Sequence, residues 1–235
     1  MWLHTLRSGL LLTLLTAIAP ASTIAYIRDA APAENHYYND LYLAQAGFIG
    51  SSSVRAGLLH LEASMSGPDG YYFNLFTYCA DPFLPLSVGP MGGTGAPFEL
   101  VSLSEFGYSA KTIDLISKLY GNVYYDSHSS ATKAAAFQFL IWEYIADPAF
   151  NLNSGFTRIT NSEVRAQALA WHAMQSQWTQ HAALSVLDGR AEGRQSFFLK
   201  ENMMTLNEAE NPEPASMALI GAGLLAVYWR WRRQA

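Results

Sequence analysis

The spacing of apolar positions changes along the chain, and each change marks an element. Residues 54–63 read as a strand, Ser66-Gly67-Pro68-Asp69-Gly70 as a turn cluster, and the aromatic-rich stretch 71–79 as the returning strand of a hairpin, closed by Asp81-Pro82. Residues 87–97 hold four glycines and read as a loop, followed by a short strand over 98–103. Residues 112–120 carry Ile113, Ile116 and Leu119 on one side, with Asp114 and Lys118 as a favourable i,i+4 pair, and Gly121-Asn122 is expected to stop that helix. Ser129 or Ser130 can cap a second helix running to about Ile145, closed by Asp147-Pro148. Residues 151–159 read as a loop that can hold a strand. Asn161 or Ser162 caps a long third helix, expected through Ala183, and 196–199 a last strand. Strands before and around a cluster of helices predict an α+β class, with a β-sandwich or barrel-like part and a helical subdomain.

Both ends depart from this pattern. Residues 1–7 are short and mildly basic, 8–19 are leucine-rich, and small residues follow at Ala19 and Ala21 and again at Thr23 and Ala25. This is the layout of a secretory signal peptide over residues 1–25, with candidate cleavage points after Ala21 and after Ala25. Residues 31–43, polar and aromatic without a clear period, are expected to form a loose leader. The ectodomain is expected over 26–200 and an acidic linker over 201–211.

At the other end, Pro212-Glu213-Pro214 is followed by an uncharged stretch over 215–229 and then by Arg230-Trp231-Arg232-Arg233. The prolines hold the chain extended, the uncharged run is somewhat shorter than the roughly 20 residues of a typical spanning helix, and tryptophans with arginines suit a cytoplasmic interface. This tail resembles the PEP-CTERM sorting signal of Gram-negative bacteria, carried here by Pro212, Glu213, Pro214, Arg230, Arg232 and Arg233. The resemblance implies recognition by an exosortase, a transmembrane helix in the inner membrane before processing, and delivery to the cell envelope, cell surface or extracellular matrix.

Charge narrows the partners. The chain has 14 Lys+Arg and 19 Asp+Glu; Arg7, Arg230, Arg232 and Arg233 lie in the two terminal signals, so the mature part keeps 10 bases against 19 acids, a net −9. An acidic surface argues against nucleic acid as a partner. The chain has a single cysteine, Cys79, which cannot form an internal disulfide, and an odd thiol in an exported protein asks for an explanation.

The second helix carries a polar residue that also needs a partner. Helical spacing sets Gln138 beside Ala134, Ile141, Trp142 and Ile145 on an apolar face. An amide buried there is destabilising by about 1–3 kcal/mol for each unmet group, so something specific should meet it. Tyr78-Cys79-Ala80-Asp81 together with Ala136-Phe137-Gln138-Phe139-Leu140-Ile141-Trp142 resembles the thioester domains of bacterial surface adhesins. There a strand Cys bonds to the side chain of a helix Gln. The resemblance implies a Cys79–Gln138 thioester with loss of ammonia, and Asp81 and Trp142 as assisting residues. Those adhesins commonly place Thr where this chain has Phe137.

The function expected is covalent adhesion to an amine-bearing surface or exopolysaccharide by single-use acyl transfer, not enzymatic turnover. The alternative is a non-covalent structural or polysaccharide-binding protein of a biofilm matrix, using the tyrosine doublets Tyr37-Tyr38, Tyr71-Tyr72 and Tyr124-Tyr125. A cysteine hydrolase would recruit Cys79, His128 and Asp147. No cofactor or metal is expected: His36, His60 and His128 lie in unrelated segments, and His172 and His181 do not share a helix face.

Overall fold

The computed structural model describes residues 23–30, 47–49, 52–54, 56–146, 150–154 and 156–201. The leader over 31–43, most of the acidic linker, the segment expected to span the membrane at 215–229, and Asp147 lie outside them. Among the described residues no helix is long and apolar enough to cross a membrane.

Six antiparallel strands form one sheet in the order β5-β4-β1-β6-β8-β9, namely β1 (Thr23–Asp29), β4 (Leu59–Ser64), β5 (Phe73–Thr77), β6 (Ala96–Ser102), β8 (Leu184–Asp188) and β9 (Phe197–Lys200). The two edge strands of that order meet. A bridge joins Cys79 to Phe197, Ala80 N–H donates to Ser196 O at 2.8 Å, and Phe198 N–H donates to Tyr78 O at 3.1 Å. The sheet is thus a nearly closed barrel. Closure removes the exposed edges that an open sheet would present. A small three-stranded sheet, β3 (Ser52–Val54), β2 (Gly47–Ile49) and β7 (Thr157–Ile159), stands apart from it.

Alternate residues of the barrel strands point to one apolar cluster: Ala25 and Ile27, Leu61 and Ala63, Phe73 and Leu75, Phe197 and Leu199, with Phe98 and Leu187. The period of two fills a small barrel with side chains. The opposite faces of β8 and β9 send Val186 and Phe198 into a second, larger cluster shared with the helices.

Three helices cover that outer face: α1 (Ala110–Ser127), α2 (Ala131–Ala146) and α3 (Ser162–Met174). The middle helix, α2, is buried without a break from Ala134 to Tyr144. Ser130 caps it, its Oγ accepting from Lys133 N–H at 3.2 Å. Asn161 caps α3 through Glu163 and Val164 N–H.

Two helix boundaries differ from the sequence expectation. The first helix runs through Gly121-Asn122 to Ser127. Gly121 serves a close crossing and not a stop, since a Cβ there would sit 2.4 Å from Gln180 O, and Asn122 Nδ2 donates to both Lys118 O and Gln180 O. The third helix ends at Met174, nine residues before the expected Ala183. After a 3₁₀ turn the chain buries Trp178 and runs extended along α1, where Ala182 N–H donates to Ser117 O, and this delivers it to β8. Strands β1, β2 and β8 were not anticipated. The first of these occupies the end of the expected signal segment.

That position bears on processing. Ala25 and Ile27 are fully buried, and Thr23 to Ala25 pair with Leu100 to Phe98 in the middle of the sheet. A cut after Ala25 removes three residues of a central strand, whereas a cut after Ala21 leaves it whole. The expected mature N-terminus is Ser22, readable by N-terminal sequencing of the exported protein; a start at Tyr26 would contradict it.

Candidate functional site

Cys79 sits where the barrel closes. Its neighbours Tyr78 and Ala80 turn their main-chain groups to β9, so Cys79 turns its own to the opposite side. There the β4–β5 register begins only at Leu59↔Thr77, two pairs short of Cys79. No strand residue stands opposite. Gln138 of α2 fills the place: Cys79 N–H donates to Gln138 Oε1 at 2.7 Å, and Gln138 Nε2 donates to Cys79 O at 3.0 Å. The side-chain amide acts as one residue of a missing strand. Gln138 is fully buried and Cys79 nearly so.

Flanking residues hold the crossing in register. Tyr78 and Phe137, which precede the two partners, pack with ring centroids 4.4 Å apart. Tyr120 meets Phe137 edge-on at 5.0 Å, and the Tyr78 hydroxyl bonds Ser127 Oγ at 2.6 Å near the end of α1. Phe137, the departure from the adhesin pattern, therefore works as packing against the residue before the cysteine. Ala134, Ala135 and Ala136 are buried one turn earlier and leave room for the neighbouring elements. On the far side, the Tyr108 hydroxyl donates to Ala80 O.

Electrostatically the site is dry. Burial pushes the Cys79 thiol up to about 12, and the Asp81 carboxylate adds to the rise. The thiol is therefore protonated at neutral pH. Asp81 itself forms a turn, its Oδ1 accepting from Phe83 N–H at 2.8 Å. Trp142 is buried edge-on to Phe139 at 5.4 Å, and its Nε1 has no hydrogen-bond partner among the described residues. Neither residue bonds to Cys79 or Gln138 among the described residues.

The hydrolase arrangement does not assemble among the described residues. His128 ends α1 with its ring 4.4 Å from Tyr124, and no hydrogen bond joins it to Cys79. Burial lowers its pKa to about 4, with Lys200 adding to the fall. His172 lies on α3 and His181 beyond it, paired with Asp114 at 2.9 Å. The tyrosine doublets split by burial: Tyr72 lies under Arg28 at 3.8 Å and Tyr124 is buried, while Tyr71 and Tyr125 face solvent. Tyr37 and Tyr38 lie outside the described residues.

A feature the sequence reading missed adjoins the site. A cleft of about 680 Å³ begins at Ala80 and Asp81 and is lined by Phe83, Tyr108, Tyr144 and Phe150 among others. Phe150 has φ 51°, in the left-handed region that a bulky residue rarely adopts, and its ring stacks on His172. The one signal in the sequence was the crowding of aromatics around Asp81; the other walls come from four distant segments.

Residues 212–233 match the PEP-CTERM protein-sorting motif. The motif implies export, recognition by an exosortase, and a cell-envelope or extracellular location. A search of the curated proteins finds no match to this chain.

The two hydrogen bonds at Cys79 set a stability expectation. Gln138→Leu leaves a buried N–H and a buried C=O unmet, each worth about 1–3 kcal/mol. The variant should lose roughly 2–5 kcal/mol in chemical denaturation. A loss below about 1 kcal/mol would show that Gln138 is not what satisfies the closure.

Proposed function

We propose that this exported, exosortase-sorted protein carries an internal Cys79–Gln138 thioester and uses it once, to attach covalently to an amine at or beyond the cell surface. The observation that supports the reading is the pair of hydrogen bonds between the Gln138 amide and the main chain of Cys79, the residue that carries the only thiol in the chain.

The chemistry balances without a cofactor. Cys79 Sγ bonds to Gln138 Cδ, the Cδ–Nε2 bond breaks, and nitrogen leaves as ammonia carrying the thiol proton. A free thiolate need not accumulate, which suits a thiol whose burial disfavours ionisation. The resulting acyl group is a stored electrophile. Tyr78, Phe137 and the rest of the apolar cluster limit its hydrolysis by excluding water. An incoming amine attacks the carbonyl carbon, an amide forms, and the sulfur departs as the Cys79 thiol. Each molecule acts once, so the reading is of an adhesin and not of a turnover catalyst.

The second reading keeps the same sorting without the covalent bond. Gln138 then serves only to close the barrel, and the protein is a structural or polysaccharide-binding component of the matrix. Its support is that both hydrogen-bonding groups of the Gln138 amide are already used by the Cys79 main chain.

Intact mass of the purified exported protein separates the two. The covalent reading predicts a mass lower by one ammonia, restored to the full value in Cys79→Ala and in Gln138→Ala after allowance for each substitution. It also predicts addition of one methylamine with appearance of a titratable thiol. Full sequence mass and no methylamine uptake would leave the second reading.

A further inference from the structure

The first strand of the barrel begins where the leader is expected to end. Ser22 alone stands between Ala21 and Thr23. Thr23 pairs with Leu100, Ile24 with Glu99 and Ala25 with Phe98, and from Tyr26 the strand is held on both sides, Tyr26 by Pro97 and Ser64 and Ile27 by Ala96 and Ala63. Ala25 and Ile27 are fully buried in the barrel interior with Leu61, Leu75 and Phe98. Of the two candidate cuts, the bond after Ala21 therefore lies beside the strand and the bond after Ala25 lies within it.

An endopeptidase takes its substrate extended and binds it through main-chain groups. In the closed barrel the main-chain groups of β1 are already engaged by β6 and β4. A strand with neighbours on both sides and a buried face opens only with the sheet, so cutting there tracks the small population in which the barrel has come apart. Sequence separation sets the order of events. The β4–β5 hairpin brings Ala63 to Phe73 across a short turn, whereas Ser64 stands 38 residues beyond Tyr26 and Leu100 stands 77 beyond Thr23. Contacts across such separations form after local ones, because a long loop has to be closed first. β1 thus emerges first and waits for partners that follow it.

We infer that the topology times the removal of the leader: a signal endopeptidase cuts while β1 is still unpaired, and closure of the barrel ends the period in which the bond can be cut. A chain that closes first keeps its leader. The inference rests on residues 1–25 being a cleaved leader and is independent of any bond between Cys79 and Gln138.

The test uses the full-length precursor and a purified signal peptidase in detergent micelles, with the mass of the product as readout. Precursor added directly from urea is expected to lose its leader. Precursor allowed to fold first, as checked by near-ultraviolet circular dichroism, is expected to lose it at least about tenfold more slowly. Two variants isolate the cause. A short run of glycine and serine inserted between Ser22 and Thr23 moves the bond clear of the strand, and is expected to bring the folded precursor to within about threefold of the unfolded one. Leu75→Ala opens a cavity in the barrel interior away from the cut, and is expected to speed cutting of the prefolded precursor severalfold by raising the open population. If that variant does not fold, it should be cut as fast as the unfolded chain. Equal rates for folded and unfolded precursor, a folded insertion variant as resistant as its parent, or Leu75→Ala cut no faster than its parent would each overturn the inference. An unfolded precursor that is not cut at all would overturn it together with the leader on which it rests.

Discussion

The main chain of Cys79 has to be satisfied where the barrel closes and no strand can satisfy it. On one side the closure to β9 uses the groups of Tyr78 and Ala80, and on the other the pairing with β4 stops two residues short. A buried N–H and C=O left open there would weaken the fold by several kcal/mol, a large share of the margin that keeps a domain folded. A helix side chain with one donor and one acceptor on the same planar group answers both, and glutamine is long enough to reach. The placement of α2, its burial from Ala134 to Tyr144, and its run of alanines all serve to bring Gln138 to that point. So does the packing of Tyr78 against Phe137, which fixes the same crossing one residue earlier.

Structure and chemistry are therefore drawn from one contact. The geometry that repairs the sheet brings a buried carboxamide to the main chain of the one residue that carries a thiol. Burial holds that thiol neutral, which protects it from outside oxidants and alkylating agents. The cleft then begins one residue further on, so the closed interior and the open surface are separated by little more than Ala80 and Tyr108. An exported protein with one cysteine can keep it by hiding it, and Cys79 is buried here.

Several parts of this were legible in the sequence because they are local. The hairpin over β4 and β5 announced itself by its turn cluster and aromatic return. The need for a partner at Gln138 followed from one amide on an apolar helical face; the partner found is the main chain of Cys79, where the resemblance implied a bond to its sulfur. What stayed hidden depends on distant segments. Strand β1 was masked by its overlap with an apolar signal segment, so its central place in the sheet was not foreseen. Gly121 reads as a helix stop by composition, yet its lack of a side chain admits the Gln180 carbonyl from 59 residues away. The third helix ends early because Trp178 is wanted in the core. The cleft is assembled from the turn after Cys79, the start of α1, the end of α2 and the Arg190 turn, a set that no window of sequence brings together.

The most direct test is experimental electron density at high resolution for the exported protein, contoured between Cys79 Sγ and Gln138 Cδ. Continuous density at bonding distance, with no atom at the Nε2 position, is the outcome the covalent account predicts. A separate thiol beside an intact carboxamide, both of its hydrogen bonds still on the Cys79 main chain, would contradict it.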